Sequence, residues 1–515
     1  MKRRLPLAAL SAALSAALSC VPAHAQPTQS AVHSRLWGDH GERWDPAGRL
    51  PDFSFAGYGF GDRPIPEPER TRRVTEFGAV PGDGADDTDA FRDAIDAAAS
   101  SPGLDAVLVP RGRYIISDIL WIKSPGVVLR GEGPEHTELR ITTTLEDVRP
   151  NMGQTTSGRP TSNYSWSGGF IRVRGSFGDT PAASITRGAA RGAREIRVGD
   201  PSLFERGDRV LVQQSDDAEG SLAEHLYGGQ PGDTSRLRSP LAPRLIARIE
   251  SIDGRVLTLN RPLRWDVRAG WSPLVRRLEP SVHDVGVESM TISFPATPYG
   301  GHFTERGRNA IAMTGVIDCW VRDVTIRSAD SGIFMTGFHS TIEGVRIESE
   351  RTPHNARTGH HGVTLGSDNL LRGFAIETRF IHDITLTRLS AGNVVKDGRG
   401  ENLSLDHHKR GNHANLWTDL DAGAGTDLWR CGGGRSLGRN AGAWTTFWNI
   451  RSDAPKSWPR PAFGPDLMTL IGITTRDEAV TDPDGRWFEP IEPRALRPQD
   501  LHSAQLEARG GRDAP

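Results

Sequence analysis

The chain has 515 residues, 36% of them hydrophobic, and its 62 Lys plus Arg against 64 Asp plus Glu give a formal charge of −2. That balance excludes a broad basic surface for nucleic acid, so any charge recognition must come from local clusters. The length supports a large core in one domain or several, while 58 glycines and 35 prolines favour many tight turns over long helices.

Met1 to Ala25 reads as an export leader, with Lys2, Arg3 and Arg4 ahead of an Ala/Leu-rich run and Ala23-His24-Ala25 as a cleavage site. The apolar run is too short to span a bilayer, and no other membrane span is expected. Cys20 offers a lipid-attachment alternative, although Ala17 stands where a large aliphatic is usual. The mature chain is therefore expected in the periplasm or outside the cell. Cys319 and Cys431 read as two buried thiols, with a disulfide as the alternative.

Residues 26–70 are rich in Pro, Gly and aromatics without a sustained period and read as an extended arm on the main body. From residue 71 the pattern changes. Val74 to Val80 reads as a strand, Pro81 to Gly84 as a turn, and Asp86, Asp87 and Asp89 as the acidic start of a helix through Ala98. Carboxylates there accept from free N–H groups and complement the helix dipole; a metal site is the sharper alternative. Strands follow at Ala106 to Val109, Gly112 to Ile116, Leu120 to Ile122 and Gly126 to Arg130.

The succession EFGAVPGDGADDTDAFRDAIDAA from Glu76, VLVPRGRYIIS from Val107 and VVLRGEG from Val127 closely resembles the N-terminal cap and first coils of the pectate-lyase-like superfamily. The match covers roughly residues 73–133. The resemblance implies an all-β fold, a right-handed parallel β-helix (solenoid) behind an N-terminal capping helix. That scaffold hosts lyases, glycosidases, transferases, epimerases and phage tailspikes, so it specifies fold and not reaction.

Residues 71–179 then hold the cap and first coils, and residues 180–270 break the rhythm. Alternating segments at Ala193 to Val198, Gly207 to Val212, Ala247 to Ile252 and Val256 to Leu259 read as a small antiparallel β subdomain inserted into the helix. Residues 271–475 resume the coils. Ala310 to Gly315 and Gly332 to Gly337 are offset by 22 residues, while Gly362 to Ser367 follows 30 later. The surplus should bulge out around His354 and end at His360 and His361. Equivalent positions stack at about 4.8 Å, which places Arg308, Asp330 and His360 in one column. Segments near Val324, Val345, Phe374 and Leu403 are expected to stack as parallel strands of one sheet. Residues 476–515 are expected to cap the end, with a strand at Leu467 to Ile473 just before them, a helix at Leu501 to Ala508 and a frayed tail from Gly510 to Asp513.

The stretch from Arg351 to Ala422 carries seven of the sixteen histidines and most candidate site residues. Asp406, His407, His408, Lys409 and Arg410 leave a strand together, and because neighbours on a strand face opposite sides, only some of them can reach a cleft. Three activities fit. In β-elimination on a uronate-containing polysaccharide, Lys409, Arg410 or Arg399 neutralises the substrate carboxylate and His407, His408 or a lysine takes the α proton. In hydrolysis or glycosyl transfer, Asp397 and Asp406 form the best carboxylate pair, with Asp419 and Asp421 in reserve. In simple glycan binding, Trp417, Trp429, Trp444 and Trp448 offer stacking faces. His360, His361, Arg399, Asp330, Arg308, Trp417 and Trp429 are the substrate-binding candidates.

Leu405-Asp406-His407 is similar to the I-D-H element of extracellular pectate lyases, but their R-x-P-x-x-R motif does not follow. Gly359-His360-His361-Gly362 is similar to the G-H-G of polygalacturonases, but the N-x-D, paired-Asp and R-x-K elements do not accompany it. His360-His361 is not read as a metal pair, because no zinc spacing such as H-E-x-x-H is present. No motif requires a cofactor, and calcium stays open. The reading is an exported polysaccharide lyase, with a glycoside hydrolase and a glycan-binding protein as alternatives.

Overall fold

The computed structural model describes residues 31–512. The expected leader, Cys20 and Asp513 lie outside the described residues. Two sheets form the body, parallel throughout except for the last pair of the larger one, Val480–Thr481 with Trp487–Glu489. The small sheet has seven strands in chain order: β1 (Leu120–Ile122), β2 (Ile171–Arg174), β3 (Asn309–Thr314), β4 (Ser331–Phe338), β5 (Gly359–Ser367), β6 (Phe380–Leu386) and β7 (Leu405–His407). The large sheet has sixteen strands, among them Trp320–Arg327, Leu370–Glu377, Val394–Gly400, Leu416–Asp421 and Thr446–Arg451. The chain alternates between the two, which makes it a right-handed parallel β-helix.

Registration follows the sequence repeats. Ile311 pairs with Ile333 across 22 residues, and Ile333 with Val363 across 30. The row continues through Ile384 to Leu405, and all five side chains are buried between the sheets. Each such residue stabilises the fold by about 1.5–3 kcal/mol relative to exposure. At one turn, Asn369, Asn393 and Asn415 stack: Asn393 Oδ1 accepts from Asn369 N at 3.0 Å and Asn415 Oδ1 from Asn393 N at 3.1 Å. The ladder satisfies backbone amides that the coil buries.

The large sheet bends along one column. Ser289, Asp323, Gly373, Asp397, Asp419 and Asn449 all adopt φ between 48° and 60°, at the points where strand register is interrupted. Asp, Asn, Ser and Gly tolerate the left-handed region better than bulky residues do, which explains the residue types.

Four expectations need correction. Residues 70–77 form a short strand, Arg70–Arg73, and a 3-10 turn, Val74–Phe77, because Gly78 at φ 103° closes the turn onto Thr75 and Val74. Asp87 occupies the N-cap position of the Thr88–Ala99 helix without capping it; its carboxylate accepts from Val80 N and Ile115 N and ties cap to coil, while Asp86 takes the expected role and accepts from Thr88 N at 3.1 Å. Leu403 does not continue the row of Val324, Val345 and Phe374: Val394–Gly400 does, and the Leu405–His407 strand belongs to the small sheet. Finally, the C-terminal helix Leu501–Arg512 is no end plug. It lies along the large sheet with the N-terminal arm, where Phe53 N donates to Gln505 Oε1 at 2.9 Å. Trp37, Leu50 and Phe53 of the arm are buried with Leu370, Val394, Leu416 and Trp448.

Ala182–Ser184 through Leu274–Arg277 form a six-stranded sheet whose internal pairings are all antiparallel, with its own core around Val210, Leu245, Trp265 and Trp271. It is tied to the coils by Arg261 and Arg264, both on Asp368. Cys319 and Cys431 are free thiols, the first buried and the second half-buried. Of these two, Cys431 is expected to react first in thiol titration of the native protein. Among the described residues no helix is long and apolar enough to cross a membrane.

Candidate active site

Arm and C-terminal helix cover the large sheet, whereas the small sheet carries a cluster of histidines on its outer face. The outward row of that sheet reads Trp121, Arg172, Ala312, Phe334, Thr364, Thr385, Asp406. It turns polar over the last three coils. Beside those positions stand His360 and His361 at the start of β5, His382 on β6 and His408 just after β7. The loop ahead of β3 adds Tyr299, His302 and Glu305. Ring centroids step from His360 to His361 at 4.2 Å, to His382 at 5.0 Å, and from His382 to His408 at 5.2 Å.

Asp406 is fully buried at the end of this series. It accepts from Gly432 N at 2.7 Å, from Thr385 Oγ1 at 3.2 Å and from His408 Nδ1 at 2.9 Å, the tautomer being the one that donates. His382 Nδ1 lies 3.2 Å from the same carboxylate but off the line of a good hydrogen bond. Burial opposes ionisation, yet the His382 and His408 rings and the Gly432 amide outweigh it and hold the carboxyl well below the usual range. Burial pushes His302 and His382 down to about 4, and His360 and His361 also fall well below the ordinary value. Those four imidazoles are neutral at pH 7. Glu305 is raised to about 7 by burial, although Tyr299 donates to it.

A cleft of about 420 Å³ opens beside His302, lined by Arg159, His354, Arg357, Ile381 and Arg430. Arg357 is paired with Asp427 at 2.5 Å. Among the described residues, neither Arg159 nor Arg430 has a carboxylate within ion-pair distance. A second cavity of about 650 Å³ shares Arg430 and holds Trp429, Lys456, Trp458 and Arg460.

The sequence candidates divide sharply. His360, His361, Asp406 and His408 come together in the cluster. His407 points the other way, into the core, with Nδ1 2.7 Å from Asn412 Oδ1 and Nε2 accepting from Trp417 Nε1 at 3.0 Å. Trp417 is therefore a core residue and offers no sugar face; Trp448 is fully buried and Trp444 nearly so. Trp429 is half-buried, packed on Phe447 and Phe463. Asp397 and Asp406 do not form a pair, because Asp397 lies in the left-handed column of the large sheet, in a groove with Arg322, Arg372 and Asp419. Arg399 is on that sheet too, bound to Glu377 at 2.8 Å. Arg308 and Asp330 stand in column with His360, but Asp330 is spent on Arg351 at 2.7 Å and on Arg308 N at 2.9 Å. Lys409 and Arg410 follow at φ 64° and 62°, the lysine stem over Gly433 and the Arg410 amide on Leu437 O.

Sequence reasoning passed over His382, His302, Glu305 and Arg430. His382 was within reach, since it pairs in register with His361 one coil earlier. The others sit in loops, where no period marks them.

Residues 71–171 match the family model described as "Rhamnogalacturonase A/epimerase, pectate lyase-like". That match covers the cap and first coils, and the chain as a whole is a parallel β-helix. No curated protein matches it in sequence. Among solved structures, the tailspike protein gp49 of Pseudomonas phage LKA1 is 14% identical at a TM-score of 0.43, over 74% of this chain and 64% of the tailspike. The β-helix thus spans just under two thirds of that protein. The Azotobacter vinelandii mannuronan C-5 epimerase AlgE4 A-module is 13% identical at a TM-score of 0.30, over 78% of this chain and 76% of the module. A Thermotoga maritima exopolygalacturonase is 10% identical at 0.31, over 75% and 68%.

Proposed function

We propose that this β-helix is an exported enzyme that cleaves a uronate-containing polysaccharide by β-elimination. The observation that carries the reading is the meeting of two guanidiniums without carboxylate partners, Arg159 and Arg430, with the Asp406–His408 dyad on one face of the small sheet. The matched family description, a rhamnogalacturonase and an epimerase, supports a polysaccharide substrate.

The chemistry follows from the groups. A uronate carboxylate seated on Arg430 and Arg159 loses its repulsion toward a forming carbanion, which acidifies the hydrogen on the α carbon. Asp406 holds Nδ1–H of His408, leaving Nε2 with a lone pair that takes that hydrogen as a proton. The electron pair forms the double bond as the glycosidic C–O bond breaks. In a syn elimination the same imidazolium returns the proton to the leaving oxygen, so no further acid is needed. Hydrolysis is less well supported, because Asp406 and Glu305 are both buried behind histidines and Asp397 is on the other sheet. Simple glycan binding loses Trp417 and Trp448 to the core.

Incubation with a panel of acidic and neutral polysaccharides tests the reading. Unsaturated-uronate absorbance should appear with acidic polymers; reducing ends without that absorbance would exclude elimination. Gly432→Ala gives a second check. A β-carbon there would stand 2.6 Å from Cε1 of both His382 and His408, so the rings must move. Turnover is expected to fall about tenfold with little change in stability, since misplacement of a reacting group is costly.

A further inference from the structure

Three imidazoles converge beside the cleft, one of them, His302, lining it, in a way that general-base chemistry does not require. His302 Nε2 and His360 Nε2 are 3.1 Å apart, and ring nitrogens of His302, His360 and His382 all lie within 4.8 Å of one another. Two nitrogens bound to one zinc-like ion at about 2.0–2.1 Å in tetrahedral geometry stand about 3.3 Å apart. Behind two of the rings is a carboxylate: Glu305 Oε1 is 3.5 Å from His360 Nδ1, and Asp406 Oδ2 is 3.2 Å from His382 Nδ1. Both Nδ1 atoms are buried and make no well-aligned hydrogen bond, the nearby carboxylate being within reach but off line. A carboxylate at Nδ1 keeps the proton there and presents the Nε2 lone pair, which is how metal-ligating histidines are held. As mere packing, the same rings would bury polar nitrogens at a net cost.

We propose that His302, His360 and His382 bind one divalent transition metal, with Glu305 and Asp406 as the carboxylates that orient two of the ligands. Three imidazoles suit zinc, cobalt, nickel or copper, whereas calcium and magnesium take oxygen ligands. His302 is half-buried and lines the cleft, so the fourth position opens toward Arg430 and Arg159. On the reading of that cleft as a uronate site, and only there, this position receives a carboxylate oxygen of the substrate. The metal site itself stands on the ring geometry. The sequence hides it because the three ligands come from one loop and two separate coils.

Cobalt(II) titration of the chelator-stripped full chain, followed by visible absorbance and elemental analysis, decides the matter. The expected result is one equivalent of cobalt with the intense absorption of a four-coordinate site, displaced by zinc. His302→Ala should weaken cobalt binding at least about tenfold without altering the thermal midpoint of the stripped protein, and His382→Ala should weaken it likewise. His136→Ala, at an exposed histidine in a distant turn, should leave the band intact. Absence of the band at stoichiometric cobalt, or a band that survives in both His302→Ala and His382→Ala, overturns the proposal. The two readings fail separately. A bound metal with no unsaturated product removes the lyase chemistry alone, and unsaturated product from stripped protein that shows no cobalt band removes the metal alone.

Discussion

His408→Ala is expected to lower turnover about 100-fold, the lower range for a lost general base, while leaving the thermal midpoint nearly unchanged. The side chain is 32% exposed and makes one hydrogen bond, to Asp406. Asp406 keeps Thr385 and the Gly432 amide when the ring is gone. The neighbouring substitution gives the contrast. His407 faces the core, so His407→Ala leaves the Trp417 indole N–H without an acceptor and should cost about 1–3 kcal/mol of stability before any loss from the cavity. Urea unfolding and product absorbance on both variants separate the roles. Equal effects of the two substitutions on stability and rate would sink the assignment of opposite faces.

Those opposite faces mark the border of what the sequence makes legible. The repeat offsets of 22 and 30 residues carry directly into strand register, because β-branched residues at period two can only bury one face. The bulge around His354 is likewise visible as surplus length. The carboxylates were harder. Asp397 and Asp419 have the residue type of a catalytic pair, but Asp is also one of the few side chains that tolerate a left-handed bend, and both serve there. Nothing local separates the two uses; only the strand count around the coil does. Asp397 and Asp406 are nine residues apart in sequence but on different sheets, since Val394–Gly400 belongs to the large sheet and Leu405–His407 to the small one. His302, Glu305 and Arg430 come from loops whose path over the small sheet is set by tertiary packing. Their convergence on His360 and His382 is long-range and leaves no mark on spacing.

Asp368→Asn is expected to be the most destabilising single change, at about 3–5 kcal/mol, because it leaves two buried cations uncompensated. Asp368 sits at φ 56°, which asparagine also tolerates, so backbone strain does not enter. Its carboxylate receives Arg261 Nη2 at 2.9 Å and Arg264 Nη2, both from the inserted subdomain, and its carbonyl accepts from Gly57 N of the arm at 2.8 Å. Insert, arm and coil are therefore pinned at one residue. Burial opposes the charge, but Arg261 and Arg264 outweigh it and hold the carboxyl at about 2 against an ordinary 3.8. A depressed carboxyl contributes stability above its unfolded value and loses it as pH falls through the folded one. The gap between parent and variant should thus be full near neutral pH and narrow as pH drops from about 4 to about 2. Urea midpoints measured at both ends of that window check it. A gap that is absent at pH 7, or that does not shrink in acid, would show that the insert is held by its apolar contacts and not by this ion cluster.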